Sequence, residues 1–438
     1  MKIGFLAMSG IRAHDKELLK LGLTLPGFVE RSRAIASLPS LGLLYLAAST
    51  PEGHDLHYFE AEAAGTEPPE VATCDLVAIS TFSAQIFEAY EIADRLRQKG
   101  VKVAMGGLHV SVLPDEALAH ADFVVVGEGD NVWPAVVRAT MNRDAGGIFR
   151  ASDFAPVDVV ELPLPRYDLL GDRPYNRYTV QATRGCPWRC DFCASSVMLQ
   201  MPYRRRPVDH VVRDIRAITK RHPSAFIEFA DDNTFVDKEW SKALCRALVP
   251  LKIKWFTETD ITVADDPELL ELMRQSGCRQ VLIGLESPSA GALAGVEQRA
   301  DIKTKWVARY GAAVREIQSC GVTVNTCFIL GLDGHTPAIF EEVLHFVEEA
   351  NPFDVQVTLL TPFPGTPLYE RLVAEGRILH PGAWNLCTLF DVNFRPSGMT
   401  SQELRAGIYW LSQRLYSGDA TRRRRKEFFS QFNPHMYS

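Results

Sequence analysis

The chain has 438 residues, of which 46 % are hydrophobic and 23 % charged, so it is long enough for two or three domains with sizeable cores. A net charge of −7 excludes a basic field for nucleic acid or an anionic membrane surface, and no stretch approaches the roughly 20 apolar residues that span a bilayer. Nine cysteines, an odd number, argue against a secreted disulfide framework, so we expect a soluble cytoplasmic protein that binds no nucleic acid and has no membrane span.

Short β-rich runs alternate with helical patterns in two blocks of the chain, which is typical of parallel sheets built from βαβ units. The first block, residues 1–145, has helical segments near 40–50, 84–99 and 114–120. Its five predicted strands are KIGFLAMS, LHYFEAE, LVAISTFS, KVAMGGLH and FVVVGEGD. This alternation predicts an α/β, doubly wound, Rossmann-like domain.

Residues 146–177 are rich in Pro, Gly and Asp without a clear period, so we assign them to a linker. The second block, residues 178–387, contains six predicted strands, each followed by a plausible helix: YTVQATRGC, AFIEFA, IKWFTETD, RQVLIGLE, VTVNTCFILG and VQVTLLTP. Six consecutive βα units predict a partial (β/α)6 TIM-like barrel, whose chemistry lies at the C-terminal ends of the strands. Residues 388–438 are predicted to form a small helical tail, in which we interpret the run TRRRR as a solvated helix face.

Three cysteines, Cys186, Cys190 and Cys193, lie close together in TRGCPWRCDFCASS, directly after the first strand of the second block. A structural zinc site would need a fourth ligand, and a disulfide would leave one thiol over. An iron–sulfur cluster bound by three thiolates is the remaining option, with one iron open for a non-protein ligand. The spacing therefore predicts a metal centre that takes part in catalysis.

The string CPWRCDFC, with an aromatic residue just before the last cysteine, resembles the signature of the radical S-adenosylmethionine (radical SAM) superfamily. The resemblance implies a 4Fe-4S cluster whose open iron binds the methionine amino and carboxylate groups of S-adenosyl-L-methionine. An electron from the cluster then cleaves the sulfonium to give a 5′-deoxyadenosyl radical. A reducing partner such as flavodoxin or ferredoxin is implied as the source of that electron.

Strand ends of the second block supply the other residues that the resemblance implies. In FADDNTF, Asp231 and Asp232 correspond to the position that meets the methionine amino group, where a carboxylate opposite an ammonium is favourable. A strand-end turn held by Asp and Asn is the alternative. In GLES, Glu286 and Ser287 correspond to the polar contact with the ribose or the amino acid.

The adenine site is implied by two further matches. Phe192 is the aromatic residue placed next to the adenine, and Ile329 and Gly331 in FILGLDGHT resemble the adenine-contacting strand. The sequence departs from the commonest pattern there, because it offers Asp333 instead of a later Glu. The proline-rich stretch LLTPFPGTPLYERL suits either a rigid loop over the barrel mouth or a plain strand-to-helix turn.

The stretch from about residue 40 to 137 resembles the cobalamin-binding domain that precedes the barrel in one large class of radical SAM enzymes. Small and polar residues at strand ends let a flat macrocycle approach the backbone. The residues implied to line the cofactor are Thr81, Ser83, Gly106, Gly107, His109, Gly127, Glu128 and Gly129. The alternative is a Rossmann-like domain that binds nothing or holds a substrate, whereas a dinucleotide site is disfavoured because no G-x-G-x-x-G follows the first strand.

One departure concerns the lower cobalt ligand. Cobalamin carriers with a histidine ligand bear D-x-H-x-x-G after the first strand. This chain has IRAHDKEL there, with His14 but with neither Asp nor Gly in register. Either the lower face of cobalt lacks a histidine, or cobalamin is not bound.

The resemblances together imply a cobalamin-dependent radical SAM enzyme. Its expected reaction is methyl transfer to an unactivated carbon of a small-molecule substrate, either a secondary metabolite or a lipid-like compound. The alternatives are a radical SAM cyclase or rearrangement enzyme without methyl transfer, and a non-catalytic iron–sulfur or cobalamin redox-sensing module. A methylthiotransferase is disfavoured, because those proteins carry three cysteines in the N-terminal domain and this one has only Cys74.

Overall fold

A computed structural model describes residues 1–10, 12–24, 38–195 and 202–431. The first of its two large sheets has six parallel strands in the order β2-β1-β3-β4-β5-β6. These are β1 Lys2–Met8, β2 Asp55–Ala61, β3 Leu76–Ser80, β4 Lys102–Gly106, β5 Phe123–Val126 and β6 Gly147–Arg150. The helices of this part are α1 Lys16–Thr24, α2 Leu41–Ala48, α3 Ile86–Gln98, α4 Leu108–Val112, α5 Pro114–Leu118 and α6 Trp133–Asn142.

Helices cover both faces of this sheet, which explains why its strands read as near-continuous apolar runs. The strand order reverses at β1, which lies between β2 and β3, so a crevice opens beside the C-terminal ends of the strands. The Rossmann-like prediction and its five strands are confirmed. The prediction of an irregular linker was wrong for Gly147–Arg150, because this four-residue strand pairs with β5 and is too short to show a period.

The second sheet also has six parallel strands, in the order β14-β13-β12-β11-β10-β7. Its strands are β7 Tyr178–Val180, β10 Phe226–Phe229, β11 Lys254–Thr259, β12 Cys278–Glu286, β13 Thr323–Leu330 and β14 Asp354–Leu359, and a short antiparallel pair is formed by β8 Thr183–Arg184 and β9 Arg204–Arg205. Since neighbours in the chain are neighbours in the sheet and β7 and β14 are its two edges, the arrangement is the predicted partial barrel.

The helices that follow these strands cover the outside of the barrel. They are α7 Val208–Arg221, α8 Lys238–Leu248, α9 Pro267–Gln275, α10 Ala290–Leu293, α11 Ile302–Trp306, α12 Tyr310–Ser319, α13 Ile339–Ala350 and α14 Pro367–Ala374. Helix α9 shows how local sequence sets these boundaries, because the Asp266 side chain accepts a hydrogen bond from the N–H of Leu269 and Pro267 opens the first turn. Among the described residues, none of the helices combines the length and the apolar character needed to cross a bilayer.

The C-terminal region is helical, as predicted, with α15 Ser401–Leu415 and α16 Gly418–Ser430. Helix α15 packs against α13 so closely that a Cβ at Gly407 would lie 1.9 Å from Cζ of Phe340. The prediction of a solvated arginine run was wrong for Arg424, which is buried and donates a hydrogen bond to the carbonyl of Leu415 (2.8 Å). One arginine of the run therefore ties the two last helices together.

The segment after β14 docks onto the first sheet. Trp384 and Cys387 are buried in the hydrophobic cluster that covers the α3 side of that sheet. The Trp384 indole N–H donates to the Glu116 carboxylate (3.1 Å), and its ring lies 5.6 Å from the ring of His109. The chain therefore connects its two sheets through packed side chains as well as through the backbone.

Candidate functional site

The three cysteines lie on the loop that follows β7 and β8, at the C-terminal end of the barrel strands. Cys190 is buried, Cys186 and Cys193 are half-buried, and none of the three forms a disulfide. Burial raises the pKa of Cys186 and of Cys190 to about 12. Across the described residues, no three His, Cys, Asp or Glu side chains are already arranged as a metal site. The donor set nevertheless fits an iron–sulfur cluster, because the positive charge of iron offsets the cost of ionising buried thiols.

The cysteine loop is braced by the segment before α11. Cys190 pairs with Glu297 in an isolated antiparallel bridge. The Glu297 carboxylate accepts hydrogen bonds from the backbone N–H groups of Ala300 (2.8 Å), Arg189 (3.1 Å) and Arg299 (3.0 Å). Burial alone would raise the pKa of Glu297, but these hydrogen bonds hold it below its ordinary value. An ionised carboxylate thus fixes the outer side of the loop.

Asp231, the first of the two aspartates after β10, forms hydrogen bonds within the protein. Asp231 is buried, and its carboxylate accepts hydrogen bonds from the N–H groups of Ala182 (2.8 Å) and Thr183 (3.0 Å) and from the hydroxyl of Thr234 (2.9 Å). Burial raises the pKa of Asp231 to about 6, although these hydrogen bonds oppose the shift. Asp231 therefore joins the chain after β7 to the chain after β10.

The second aspartate, Asp232, is half-buried and accepts a hydrogen bond from the hydroxyl of Ser195, two residues after Cys193. Burial raises its pKa above the ordinary value, and the hydrogen bond from Ser195 opposes the shift. Asp232 keeps some exposure beside the cysteine loop, so its carboxylate, unlike that of Asp231, is accessible to a cationic group.

Glu286 ends β12 in a strained conformation. Its φ is +64°, and the pairing register of β12 with β13 shifts between Gly284 and Glu286. The carboxylate forms a buried ion pair with Lys303 (2.6 Å), whose Nζ also donates to the carbonyl of Gly284 (3.1 Å). Burial opposes the charge of Lys303, but the Glu286 carboxylate raises its pKa above the ordinary value. Backbone strain of this kind often occurs at functional sites, where it orients a side chain.

Ser287 and Gly331 meet through a histidine that the sequence analysis did not identify. The hydroxyl of Ser287 lies 3.0 Å from Nε2 of His335, and Nδ1 of His335 accepts a hydrogen bond from the N–H of Gly331 (3.2 Å). Burial lowers the pKa of His335 to about 4, so the ring is neutral. Since Nδ1 accepts, Nε2 carries the proton and donates to Ser287. The ends of β12 and β13 are thereby held together.

The other residues predicted for the adenine site lie in three different environments. Ile329 is buried on β13, and Phe192 is half-buried against the main hydrophobic core. Asp333 forms ion pairs with Arg371 and with Arg377 (2.7 Å), so its carboxylate is engaged by two guanidinium groups.

The barrel interior contains a carboxylate that the sequence analysis also missed. Glu258 on β11 is exposed, whereas its neighbours Thr257 and Thr259 are buried, so its side chain lies on the opposite face of the strand. On the adjacent strand, Glu228 forms an ion pair with Arg177 (2.8 Å). The Glu258 carboxylate is accessible only from inside the barrel, where the surrounding strands displace much of its hydration. This desolvation, together with nearby carboxylates including Glu228, raises the pKa of Glu258 to about 8.

A cavity of about 170 Å³ lies between α2 and the C-terminal ends of β3, β4 and β5. Four of the predicted cofactor residues line it: Gly106, Gly107, Gly127 and Gly129. At Gly129, an added Cβ would lie 3.0 Å from Cδ2 of Leu46, and Gly107 has a φ of +111°. A cavity of about 150 Å³ can hold a benzene ring, so this one fits an aromatic part of a large cofactor.

The other predicted cofactor residues do not line this cavity. Thr81 contacts Gln85 (3.2 Å). Ser83 lies 3.0 Å from Nδ1 of His109, which is fully buried. Glu128 pairs with arginines from the barrel side.

His14 offers no ligand to this cavity. Its side chain is exposed, and its backbone N–H donates to Asp391 (2.9 Å) in the C-terminal half of the chain. Within the described part of the chain, no histidine is among the residues that line the cavity.

Arg184 connects the cavity to the cysteine loop. It lines the cavity from the barrel side, two residues before Cys186. Its guanidinium bonds both oxygens of Asp130 (2.9 and 3.1 Å) and one oxygen of Glu128 (2.7 Å), and it lies 5.5 Å from the centre of the Tyr45 ring. The sequence showed no sign of this pairing, because its members lie more than 50 residues apart.

Three family models match the sequence. Residues 180–347 match the Radical SAM superfamily, and residues 34–137 match the B12 binding domain. Residues 366–438 match a domain of unknown function. The first two matches fall on the barrel and on the Rossmann-like sheet.

Several curated proteins are similar to most of the chain. The bacteriochlorophyllide d C-12(1)-methyltransferase of Chlorobaculum tepidum is 26 % identical, over 89 % of this chain and 84 % of that protein. The hopanoid C-2 methylase of Rhodopseudomonas palustris is 27 % identical, over 79 % and 66 %. The anaerobic magnesium-protoporphyrin IX monomethyl ester cyclase of Cereibacter sphaeroides is 26 % identical, over 78 % and 60 %.

Two solved structures share the fold. The radical S-adenosylmethionine methyltransferase TsrM from Kitasatospora setae, with cobalamin and a [4Fe-4S] cluster bound, superposes with a TM-score of 0.60 at 15 % identity, over 87 % of this chain and 76 % of that one. The cobalamin-dependent S-adenosylmethionine radical enzyme OxsB, with aqua-cobalamin bound, gives a TM-score of 0.64 at 14 % identity, over 94 % and 67 %.

Proposed function

The chain belongs to the radical SAM enzymes that carry a B12-binding domain, and from this premise we propose that it methylates an unactivated carbon of a small, lipid-like or secondary-metabolite molecule. One observation carries the proposal. Arg184 lines the cavity of the first sheet and lies two residues before Cys186, the first cysteine of the loop. The two cofactor sites are therefore neighbours, as methyl transfer to a radical formed at the barrel mouth requires.

The barrel residues have the following proposed roles. When bound, S-adenosylmethionine and the cluster supply the radical, and the corrinoid supplies the methyl group. Cys186, Cys190 and Cys193 hold the cluster, and Asp232 accepts hydrogen bonds from the methionine ammonium. Glu286, directed by Lys303, contacts the ribose or the amino acid.

The adenine is held by the neighbouring strand ends. Phe192, Ile329 and Gly331 form its apolar and backbone contacts, and Ser287 is oriented by the neutral ring of His335. Asp231 joins the end of β10 to the chain after β7 through its hydrogen bond from Ala182. These groups bind and orient, and the packed barrel excludes water from the reacting centre.

The glycines of the first sheet hold the corrinoid by letting it approach the backbone. Thr81, Ser83, His109 and Glu128 support these strand ends from outside the cavity. We divide the chain accordingly into a cobalamin-binding domain (1–145), a linker (146–177) whose residues Gly147–Arg150 complete the first sheet, a radical SAM barrel (178–387) and a helical tail (388–438).

The finer expectations from the sequence remain part of the proposal. The enzyme works in the cytoplasm, takes its electron from a protein such as flavodoxin or ferredoxin, and does not bind nucleic acid. The net charge of −7 supports the last point, because a polyanion would be repelled.

Anaerobic reconstitution with iron and sulfide tests the proposal. With dithionite and S-adenosylmethionine we expect 5′-deoxyadenosine from the wild type and from Cys320→Ala, whose half-buried cysteine lies outside the loop, but none from Cys186→Ala. Hydroxocobalamin should bind to all three proteins. An iron-loaded wild type that forms no 5′-deoxyadenosine would contradict the radical chemistry.

Product analysis distinguishes methyl transfer from cyclisation, which the similarity to the cyclase of Cereibacter sphaeroides keeps as the second candidate. Extracts of cells that express the wild type are compared with extracts of cells that express Cys186→Ala. A product heavier by one CH₂ is expected, whereas a product with the same carbon count would favour the cyclase.

A further inference from the structure

The outer side of the cysteine loop is positively charged, although the chain as a whole is acidic. Arg189, Arg299 and Lys305 are exposed there. Within the described ranges, none of the three forms an ion pair, and we call them the basic patch. The Arg299 guanidinium donates to the carbonyl of Pro187 (3.0 Å), and the Lys305 ammonium donates to the carbonyl of Ala300 (3.1 Å), so both hydrogen-bond acceptors are uncharged.

The three residues of the basic patch belong to backbone segments that lie next to each other. The N–H groups of Arg189 and Arg299 donate to the same oxygen of Glu297, at 3.1 and 3.0 Å. The hydrogen bond from Lys305 reaches Ala300, the residue after Arg299. The patch therefore covers one continuous area of the surface.

The three cations of the basic patch outnumber the carboxylates beside it. Asp301 lies between Arg299 and Lys305 in the chain, and its carboxylate accepts hydrogen bonds from the Gly295 N–H (3.4 Å) and the Thr304 hydroxyl (2.8 Å). Glu297 is buried, and its carboxylate is occupied by backbone N–H groups. Arg309 is neutralised by Asp265, and Arg371 by Asp191 (3.3 Å) and other carboxylates. The unpaired cations of this surface are thus concentrated around Cys190, which follows Arg189 in the chain and pairs with Glu297.

We propose that the basic patch is the docking site of a small acidic one-electron carrier protein, an inference that rests on the proposed function. One electron leaves the reduced carrier and enters the iron–sulfur cluster, so the carrier is oxidised by one electron and no bond is formed or broken in this step. Complementary charge speeds such encounters at low ionic strength and orients them. The patch lies on the surface of the loop that contains Cys190, so docking there brings the carrier next to the cluster.

Charge reversal tests the docking site. The carrier used is a bacterial flavodoxin reduced to its hydroquinone, and the second-order rate of its oxidation by the reconstituted enzyme is followed by stopped flow. For Arg189→Glu/Arg299→Glu/Lys305→Glu, we expect the rate at low ionic strength to fall at least ~10-fold and the difference from wild type to vanish at high salt. The affinity for oxidised flavodoxin should fall in parallel.

The matched control is Arg422→Glu/Arg423→Glu/Lys426→Glu, an equal change of charge on exposed residues of α16. It should keep the wild-type rate. If the control lost the rate, or the patch variant kept it, the docking site would be overturned.

Two further measurements separate docking from other failures. Dithionite needs no docking site, so 5′-deoxyadenosine formation with dithionite should be unchanged in the patch variant. If wild type also forms no 5′-deoxyadenosine with dithionite, the proposed function is overturned. The affinity for flavodoxin would then still test the docking site. If the triple variant loses its cluster, the single variant Arg189→Glu replaces it in the test. In the described structure the Arg189 guanidinium makes no hydrogen bond, so this change should not disturb the loop. An unchanged flavodoxin affinity in Arg189→Glu would overturn the proposal.

Discussion

Arg184 and Asp130 form a bidentate ion pair, with Nη1 of Arg184 2.9 Å from Oδ2 of Asp130 and Nη2 3.1 Å from Oδ1. Both side chains are about nine-tenths buried, with 9 % and 10 % exposed. The pair joins the strand that precedes the cysteines to the loop that borders the first-sheet cavity. Its geometry therefore sets how the first-sheet cavity and the cysteine loop lie relative to each other.

Removal of one partner of this pair should weaken the fold strongly. Asp130→Ala leaves the buried guanidinium partly unpaired, for which we expect a loss of about 3 kcal/mol in the free energy of unfolding. Urea unfolding followed by fluorescence measures the loss. As a control, Asp168→Ala breaks an exposed pair with Arg166 and should cost less than about 1 kcal/mol. Equal losses in both variants would contradict the importance of burial.

The two aspartates after β10 should separate into one structural and one ligand-binding residue. Asp231→Ala leaves two buried N–H groups without an acceptor, so we expect the free energy of unfolding to fall by about 2–4 kcal/mol. Asp232→Ala should leave stability nearly unchanged but weaken S-adenosylmethionine binding about 10-fold, as loss of a charged hydrogen bond does. Thermal unfolding and equilibrium dialysis of the cluster-loaded protein measure the two effects. The reverse assignment would show that Asp231 is the ligand.

The first-sheet cavity can be tested with a pair of glycines of the same backbone conformation. Gly127 has a φ of +88° and lines the cavity, and Gly53 has a φ of +87° with nothing within 4 Å of an added Cβ. Gly127→Ala and Gly53→Ala should therefore carry a similar backbone cost of about 1 kcal/mol, and at Gly127 the added Cβ also lies 3.0 Å from Cβ of Ala151. Only Gly127→Ala should lower the affinity for hydroxocobalamin, measured from corrinoid absorbance after gel filtration. Equal affinities would exclude this part of the cavity as a corrinoid contact.

Glu258 should make stability depend on pH. Desolvation inside the barrel and the neighbouring carboxylates raise its pKa to about 8 in the folded chain, above the ordinary 4.5. Between these values the folded chain holds a proton that the unfolded chain has released, so stability falls as pH rises through this range and then levels off. The melting temperature of Glu258→Gln should consequently fall less between about pH 6 and pH 9 than that of wild type. Glu52→Gln, a change at an exposed carboxylate, should follow the wild type.

Periodicity and spacing predict much of this architecture. β-rich runs of six to ten residues between helical patterns identify the strands of both sheets. The three cysteines are recognisable at a strand end because their spacing is local. Partners far apart in the chain cannot be found in this way. Lys303, His335 and Glu297 reach Glu286, Ser287 and the cysteine loop through tertiary packing, and no local pattern marks them.

The same limit explains the differences among residues predicted from family resemblance. The strand-end glycines line the cavity because backbone position follows from the fold. The side chain of His109 is buried between Ser83 and Trp384 because a distant segment packs against it. Asp231 and Asp232 are adjacent in the chain, yet only the three-dimensional surroundings show that one is enclosed and the other accessible.

Trp384 and Cys387 complete the core of the first sheet although they lie after the last strand of the barrel. A protein engineer who exchanges cofactor modules between relatives would therefore cut through one hydrophobic core by dividing the chain at residue 145 or 177. A chimaera that transfers residues 362–391 together with the first sheet keeps that core intact. The smallest transferable unit that keeps this core complete thus consists of two stretches that are far apart in the chain.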